Sequence, residues 1–149
     1  MKTYIIDGNN LIGKSKQLAN LQKKDGEASR EKLVNIINNY FHDKNHKVFI
    51  HFDGFESSPL NSTKSKIVYS DSKEADHKIK EQIEHTQNKK NVIVVTSDSN
   101  LQQFAKVCRC EYLSSENFLQ SIYADKTDDE ETRRKEIDDN DEFKRLFGV

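Results

Sequence analysis

The stretch Tyr4-Ile5-Ile6-Asp7-Gly8-Asn9-Asn10 places a short apolar run directly before an aspartate and a group of small and amide residues. Continuous runs of β-branched and aromatic residues are typical of strands that are buried on both faces of a sheet. Three runs of the same kind and one weaker run follow along the chain, at residues 48–52, 67–69, 92–95 and, more weakly, 109–113. The sequence therefore predicts a sheet of five short strands.

Helical patterns separate these predicted strands. Leu33, Ile36 and Ile37 recur at helical spacing, and similar spacing is found in each of the segments 29–41, 73–86, 101–107 and 115–123. An alternation of strands and helices is typical of α/β proteins, in which helices cover both faces of a parallel sheet. We expect a three-layer α/β/α architecture.

Chain length and charge predict one folded domain with an appendage. A chain of 149 residues fits a single hydrophobic core. Residues 1–124 hold eighteen basic and fifteen acidic side chains, whereas residues 125–149 hold six basic and ten acidic ones. We therefore expect one folded domain over residues 1–124 and a charged C-terminal tail over residues 125–149. We expect the tail to end in a short apolar helix with Phe143, Leu146 and Phe147, which would dock either on the domain or on a partner.

The chain shows no targeting or membrane segment in its sequence pattern. The N-terminus reaches Asp7 before an apolar signal region could form, and no run approaches the roughly 18 apolar residues of a membrane span. A phosphate-binding G-x-x-x-x-G-K-S/T motif is also missing from the sequence, which disfavours a P-loop nucleotide enzyme. We expect a cytoplasmic protein without a membrane partner.

An aspartate follows each of the four main predicted strands; these are Asp7, Asp53, Asp71 and Asp98. The carboxyl ends of parallel strands share one edge of the sheet, so these side chains can converge there. Like charges repel each other unless a cation compensates them, and carboxylate oxygens are preferred by hard divalent ions. Each aspartate is alternatively explained as a turn or helix-capping residue, and Asp71 is interpreted as a turn.

The chain resembles the YacP-like NYN-domain proteins of the PIN-like nuclease superfamily. Five blocks carry the resemblance, in the family's order and together spanning about residues 3–120: the D-G-x-N-x-I-G pattern within residues 5–13, the arginine-bearing helix at residues 29–33, the F-D-G ending of residues 48–54, Glu74-Ala75-Asp76, and Thr96-Ser97-Asp98. The resemblance implies a PIN-like three-layer α/β/α fold with a five-stranded parallel sheet. It also implies acidic residues that bind Mg or Mn for hydrolysis of phosphodiester bonds, usually in RNA.

The same resemblance implies a set of site residues. Asp7, Asp76 and Asp98 are the expected metal ligands and catalytic residues, and Glu74 or Asp53 is expected to complete the metal site. Asn10 is expected to position a ligand or a phosphate, although it is alternatively a turn residue. Many relatives carry additional carboxylates where this chain has His77 and Asn100, so we expect one strongly held ion.

Basic residues near the predicted site are expected to hold the RNA phosphates. The expected substrate-binding residues are Lys14, Lys16, Lys64, Lys66, Lys73, Lys78, Lys80 and Ser97. The predicted function is that of a metal-dependent endoribonuclease that leaves 5′-phosphates. The alternatives are a DNA or flap nuclease, and a catalytically inactive RNA-binding adaptor of the same fold. A protein or ribonucleoprotein partner is expected to bind through the tail.

Overall fold

The sheet has the predicted number and direction of strands. The computed structural model describes residues 1–57 and 59–131. Five strands, all parallel, pair in the order β3-β2-β1-β4-β5. Their bounds are β1 Thr3–Asp7, β2 Lys47–Phe52, β3 Ser65–Tyr69, β4 Val92–Val95 and β5 Glu111–Leu113. The expected five-stranded parallel sheet is confirmed.

The described part of the chain has six α-helices, of which five lie between strands and the sixth follows β5; they are α1 Gly8–Lys14, α2 Lys16–Lys24, α3 Gly26–Phe41, α4 Ala75–His85, α5 Ser99–Val107 and α6 Ser115–Glu131. A short 3₁₀ turn, Lys89–Asn91, precedes β4. The four predicted helices are present, but α1 and α2 were not predicted. The small and amide residues after Asp7, for which the sequence predicts no helix, form the first turn of α1.

Two hydrophobic layers hold the helices on the sheet. Side chains of successive strand residues point to opposite faces. Ile6 faces a core formed with α1, α2, α3 and α6, whereas Ile5 faces a smaller core formed with α4 and α5. The three-layer α/β/α arrangement expected from the sequence is therefore confirmed, and both faces of β1 are buried.

Gly8 allows α1 to begin directly against the neighbouring strand. A Cβ atom at this position would lie 2.6 Å from Phe52 Cε1 and 2.8 Å from the His51 carbonyl oxygen. Contacts this short do not occur in folded proteins, so any larger residue displaces α1 or the Phe52 ring. The glycine thus fixes how closely the end of β1 approaches β2.

The last helix runs through the expected boundary between domain and tail. Buried residues Phe118, Leu119, Ile122 and Tyr123 pack α6 on the body of the protein, and the helix continues past residue 124 to Glu131. The predicted apolar end of the tail lies outside the described residues. None of the helices in the described residues is long and apolar enough to cross a membrane.

Candidate active site

Asp7 is a buried carboxylate at the end of β1. Its side chain is only 8% exposed and caps α1, where Oδ1 accepts a hydrogen bond from the Asn10 backbone N–H at 3.4 Å. The other oxygen, Oδ2, accepts from the Thr96 hydroxyl at 3.1 Å. Burial raises the pKa of Asp7 from 3.8 to about 6, and the negative charges of Asp53 and Asp98 also raise it against the opposing effect of these hydrogen bonds. Ionisation of Asp7 in the folded protein therefore costs free energy.

Asp98 occupies the equivalent position after β4, the strand next to β1. It caps α5, because Oδ1 accepts hydrogen bonds from the backbone N–H groups of Asn100 at 2.8 Å and Leu101 at 3.3 Å. The Asp98 backbone N–H donates to the Thr96 hydroxyl oxygen at 3.1 Å. Since the same hydroxyl donates to Asp7, Thr96 joins the two aspartates through one oxygen atom.

Asp53 lies at the end of β2, on the other side of β1. Its Oδ1 accepts a 2.6 Å hydrogen bond from the Ala75 backbone N–H, which ties the start of α4 to this edge. Its own backbone N–H donates to Asn9 Oδ1 at 2.7 Å, and its carbonyl oxygen accepts from Arg30 at 2.6 Å. Asp53 thus connects α1, α3 and α4 to the sheet edge.

The first turn of α4 brings Asp76 to the same edge, next to the Ala75 contact with Asp53. Asp76 is half-buried, and its carboxylate makes no hydrogen bond or ion pair with any residue that the structure describes. Glu74 is exposed at the helix N-terminus and makes no capping hydrogen bond. Asp76 therefore has free oxygen atoms for a ligand at the edge of the sheet, whereas the Glu74 side chain is exposed to solvent.

Asn10 and Ser97 make hydrogen bonds that link the segments around Asp7. Asn10 Oδ1 accepts hydrogen bonds from the Ser97 backbone N–H at 2.9 Å and from the Ser115 hydroxyl at 2.8 Å. The Ser97 hydroxyl accepts from the Ser115 backbone N–H at 2.9 Å and donates to the Glu116 carboxylate. Both predicted residues lie at the site, and their oxygen atoms connect α1, the segment between β4 and α5, and α6.

Glu116 is a carboxylate at this edge that the sequence analysis missed. It stands in the first turn of α6, and the hydrogen bond from Ser97 lowers its pKa. Its Oε2 lies 3.8 Å from Lys14 Nζ. The available signal was positional, because Glu116 follows the fifth predicted strand just as the aspartates follow the other four.

Only some of the predicted substrate-binding lysines reach this edge. Lys14 does so through its contact with Glu116, and Lys16 is exposed at the start of α2. Lys73 is exposed just before α4, with Nζ 3.3 Å from His77 Nε2. Lys80 extends over the Phe104 ring, 5.6 Å from its centre, between α4 and α5.

Lys64 and Lys66 lie away from the carboxyl edge of the sheet. Lys64 Nζ donates to the Lys44 carbonyl oxygen at 2.7 Å, before β2 begins, and Lys66 is the second residue of β3. Because all strands run in parallel, the start of β3 is at the amino edge of the sheet. The structure therefore does not bring this pair to the edge that holds the aspartates.

Comparison with known proteins identifies the family. The model of the YacP-like NYN domain matches residues 4–146. The chain belongs to the YacP-like NYN domain family. No significant match is found among curated proteins.

The fold of this YacP-like NYN domain is similar to that of two solved structures. A crystal structure of a mutant of Rae1 (YacP) from Bacillus subtilis aligns over 99% of this chain and 92% of its own, with a TM-score of 0.77 and 22% identity. A second Rae1 (YacP) crystal structure from Bacillus subtilis aligns over 97% and 86%, with a TM-score of 0.74 and 22% identity. Family and fold together give the chain a nuclease-like fold of the ribonuclease type.

The donor atoms of this NYN-domain edge suit a hard divalent cation. The charges of Asp53 and Asp98 act on Asp7, and all three residues offer carboxylate oxygen. Free oxygen atoms remain on Asp98 and Asp76. Within residues 1–57 and 59–131, no three acidic, histidine or cysteine side chains approach closely enough to hold an ion. The residues fit Mg or Mn in chemistry, and binding requires their side chains to move together.

Proposed function

We propose that this chain is an endoribonuclease that depends on Mg or Mn and hydrolyses RNA phosphodiester bonds to leave 5′-phosphates. One observation carries the proposal most directly. In a domain of the YacP-like NYN family, a buried aspartate with a pKa raised to about 6 shares the carboxyl edge of the sheet with Asp53 and Asp98. A buried carboxylate within electrostatic reach of two further carboxylates is costly to ionise, and such perturbed groups are typical of functional sites.

Asp7, Asp76 and Asp98 would hold the ion, with Asp53 as a further oxygen donor. When bound, the ion supplies charge neutralisation at the phosphate and lowers the pKa of a water molecule. Glu74 is the weakest of the proposed ligands, because it is exposed and its side chain makes no capping hydrogen bond. Hydrolysis adds water at phosphorus and releases the 3′-oxygen, so the 5′-phosphate stays on the downstream fragment.

The remaining residues orient these groups. Thr96 donates to Asp7 and accepts from the Asp98 backbone, which keeps the two carboxylates in register across neighbouring strands. Asn10 has its side-chain oxygen fully engaged with Ser97 and Ser115, so its role in this proposal is to position the site. Lys14, which is exposed and paired with Glu116, is available to contact a phosphate of the RNA.

An RNA-binding adaptor without catalytic activity is a second candidate, because one observation favours it. The described residues contain no group of three potential metal ligands in close contact. In that case the basic residues would hold RNA, and the carboxylates would serve as helix caps, which is what Asp7 and Asp98 do in the structure.

A nuclease assay separates these functions. The purified full-length chain is incubated with Mg, with Mn or with EDTA, together with single-stranded RNA or DNA of the same sequence. The proposal expects cleavage of RNA only with a divalent ion, and products that are degraded by a 5′-phosphate-dependent exonuclease. RNA binding without cleavage would support the adaptor, and preferential cleavage of DNA would support a DNA or flap nuclease. A cytoplasmic location and a partner for the tail remain predictions.

A further inference from the structure

A cavity of about 460 Å³ opens beside the candidate active site, between the start of α3 and the segment that follows β2. Its lining includes Asp53, Gly54 and Phe55 on one side and Asp25, Glu27 and Arg30 on the other. Asp53 also belongs to the carboxyl edge of the sheet, where its charge acts on Asp7. The volume is within the range of small-ligand sites in proteins, about 300–1,000 Å³. A molecule in this cavity would therefore lie next to the proposed metal ligands.

Phe55 brings an exposed aromatic ring to the cavity. It is 65% exposed, whereas the five other phenylalanines of the described residues are buried or half-buried. Proteins that bind single-stranded nucleic acids commonly stack bases on exposed aromatic side chains. The ring of Phe55 is therefore suited to the face of a nucleobase.

The backbone before Phe55 is fixed by hydrogen bonds. Gly54 has a φ of 87°, in the left-handed region that favours glycine, so the chain turns directly after Asp53. The Gly54 N–H donates to the Ser70 hydroxyl at 2.8 Å, and the Gly54 carbonyl oxygen accepts from the Asp71 N–H at 2.8 Å. The position from which Phe55 projects is thus set by the ends of β2 and β3.

Arg30 is held in position on the α3 side of the cavity. Its guanidinium lies over the rings of Phe52 and Tyr69, 5.1 and 5.8 Å from their centres. Its Nη2 donates to the Asp53 carbonyl oxygen at 2.6 Å. A guanidinium carries five N–H donors in a planar fork, which matches two adjacent acceptor atoms. Arg30 thus supplies the cavity with a planar donor group in a defined place.

The charges in the lining favour a base over a phosphate. Of the described residues that line the cavity, Asp25, Glu27 and Asp53 are acidic, and Arg30 is the single basic one. Three negative charges against one positive charge repel a phosphate group. Carboxylate oxygens instead accept hydrogen bonds from the N–H groups of a neutral base. The cavity therefore combines a stacking ring, a donor fork and carboxylate acceptors.

Guanine is the base whose hydrogen-bonding groups match this combination. Its O6 and N7 are adjacent acceptors, which pair with an arginine fork. Its N1–H and N2 amine are adjacent donors, which pair with the two oxygens of a carboxylate. In adenine, donors and acceptors alternate, so that base offers neither pair.

We propose that the cavity binds a guanine base of the RNA substrate, in a nucleotide next to the scissile phosphate. Phe55 stacks on the base, and Arg30 donates to its O6 and N7. The carboxylates at the start of α3, those of Asp25 and Glu27, accept from its N1–H and N2 amine. This inference rests on the proposed RNA substrate.

Guanosine 5′-monophosphate tests the cavity without any need for cleavage. The amide signals of the full-length protein in EDTA are followed by NMR while the nucleotide is added to millimolar concentration. The expected result is a saturable shift of the Gly26 and Phe55 signals, with an affinity about fivefold or more above that for adenosine 5′-monophosphate, because a bidentate pair commonly discriminates by at least this factor. Inorganic phosphate alone should leave both signals in place. Unshifted signals with the guanosine nucleotide, or equal shifts with phosphate, would overturn the proposal.

Stacking is tested by substitutions of Phe55. Phe55→Ala is expected to weaken the binding of guanosine monophosphate about fivefold or more, and Phe55→Tyr to retain it. Tyr112→Ala is the matched control, because Tyr112 is 47% exposed on β5, at the other end of the sheet. This control should leave the affinity unchanged. An unchanged affinity in Phe55→Ala would contradict a base in the cavity.

The double variant Asp25→Asn, Glu27→Gln tests the reading of the base. It keeps the size of both side chains and the Asp25 oxygen that caps α3, but removes two negative charges. The preference for guanosine over adenosine monophosphate should then be lost. Selectivity is the readout, because the change in charge strengthens the binding of any nucleotide. A retained preference would contradict recognition by these carboxylates.

RNA cleavage separates this inference from the proposed function. The kcat/KM with Mg is measured for single-stranded RNAs that differ only in having guanosine or adenosine next to the cleaved bond. Guanosine is expected to raise kcat/KM about fivefold in the wild type and to give no advantage in the double variant. Cleavage of both RNAs at equal rates, without binding of guanosine monophosphate, would overturn the cavity and leave the function standing. Binding of guanosine monophosphate by a protein that neither binds nor cleaves RNA would leave the cavity standing and overturn the function.

Discussion

Asp7 and Asp98 stand at the ends of neighbouring strands and cap the helices that follow, yet their surroundings differ. Asp7 is buried, both of its oxygens accept hydrogen bonds, and its pKa is raised to about 6. Asp98 is half-exposed and uses only Oδ1 for its cap. The same local motif therefore produces one buried carboxylate that is costly to ionise and one open carboxylate with a free oxygen atom.

An aspartate can cap a helix with one oxygen atom and keep the other free for a ligand, as Asp98 does. Each aspartate satisfies backbone N–H groups of its helix, as the capping interpretation expects. Capping does not explain why Asp7 is buried within electrostatic reach of Asp53 and Asp98. The burial of a charge beside like charges is the feature that points to a cation.

The largest effect is expected from Asp98→Asn. The amide keeps the capping oxygen but removes the negative charge, so the fold is retained while RNA cleavage falls by about two orders of magnitude or more. Cleavage rates with Mg and a circular dichroism spectrum check both parts. Retention of more than roughly a tenth of the wild-type rate would remove Asp98 from the site.

Asp7→Asn is expected to change activity and stability in opposite directions. The raised folded pKa means that Asp7 contributes fully to stability below the unfolded value of 3.8, and that this contribution is lost as pH rises through about 6. The rise from 3.8 to about 6 corresponds to about 3 kcal/mol. In EDTA at pH 8 the variant should therefore be more stable than wild type by up to this amount, and with Mg it should be inactive.

Urea unfolding at pH 8 and pH 4 measures this effect. Near pH 4 the two proteins should differ little, because wild-type Asp7 is then protonated in the folded state. Asp98→Asn serves as the matched control and is not expected to gain stability at pH 8, since Asp98 is only half-buried and caps α5. A loss of stability in Asp7→Asn at pH 8 would show that the buried charge is not costly.

Gly8→Ala tests the close contact between α1 and β2 next to Asp7. The added methyl group would meet Phe52 and the His51 carbonyl, so we expect a destabilisation of about 2 kcal/mol. Gly13→Ala, in the same helix, has no atom within 4 Å of the added Cβ and should be neutral or slightly stabilising. Equal unfolding free energies for the two variants would contradict the close contact of α1 with β2.

The smallest effect is expected from the lysines at the two edges of the sheet. Lys14→Ala should raise the KM for RNA about threefold, because an exposed contact that is already paired with Glu116 contributes little. Lys64→Ala, at the amino edge, should leave KM unchanged. A larger effect at Lys64 than at Lys14 would place the RNA on the other edge.

The sequence was sufficient for the sheet because the four main strands are short apolar runs, each followed by an aspartate, and the fifth is a weaker run of the same kind. It was not sufficient for α1, since Gly8, Asn9 and Asn10 are poor helix formers. That helix depends on the Asp7 cap and on the burial of Leu11 and Ile12, which are tertiary effects.

The positions of Lys64 and Glu116 also depend on tertiary structure and could not be predicted from the sequence. A connection between neighbouring parallel strands must return to the amino edge, so the end of the loop before β3 lies far from the aspartates. Topology, rather than the basic character of the loop, decides where Lys64 lies. Glu116 reaches the site through a hydrogen bond from Ser97, a contact between residues 19 positions apart that local pattern does not encode.

The location of a bound Mn ion is the most direct test of the central claim. Mn is paramagnetic and broadens the NMR signals of nearby nuclei, so substoichiometric Mn is added to the ¹⁵N-labelled full-length protein. The account predicts selective broadening of the amide signals of Asp7, Thr96 and Asp98, little effect at Lys64, and loss of the broadening in Asp98→Asn. Broadening centred on other residues, or an unchanged pattern in Asp98→Asn, would contradict a metal site at the carboxyl edge of the sheet.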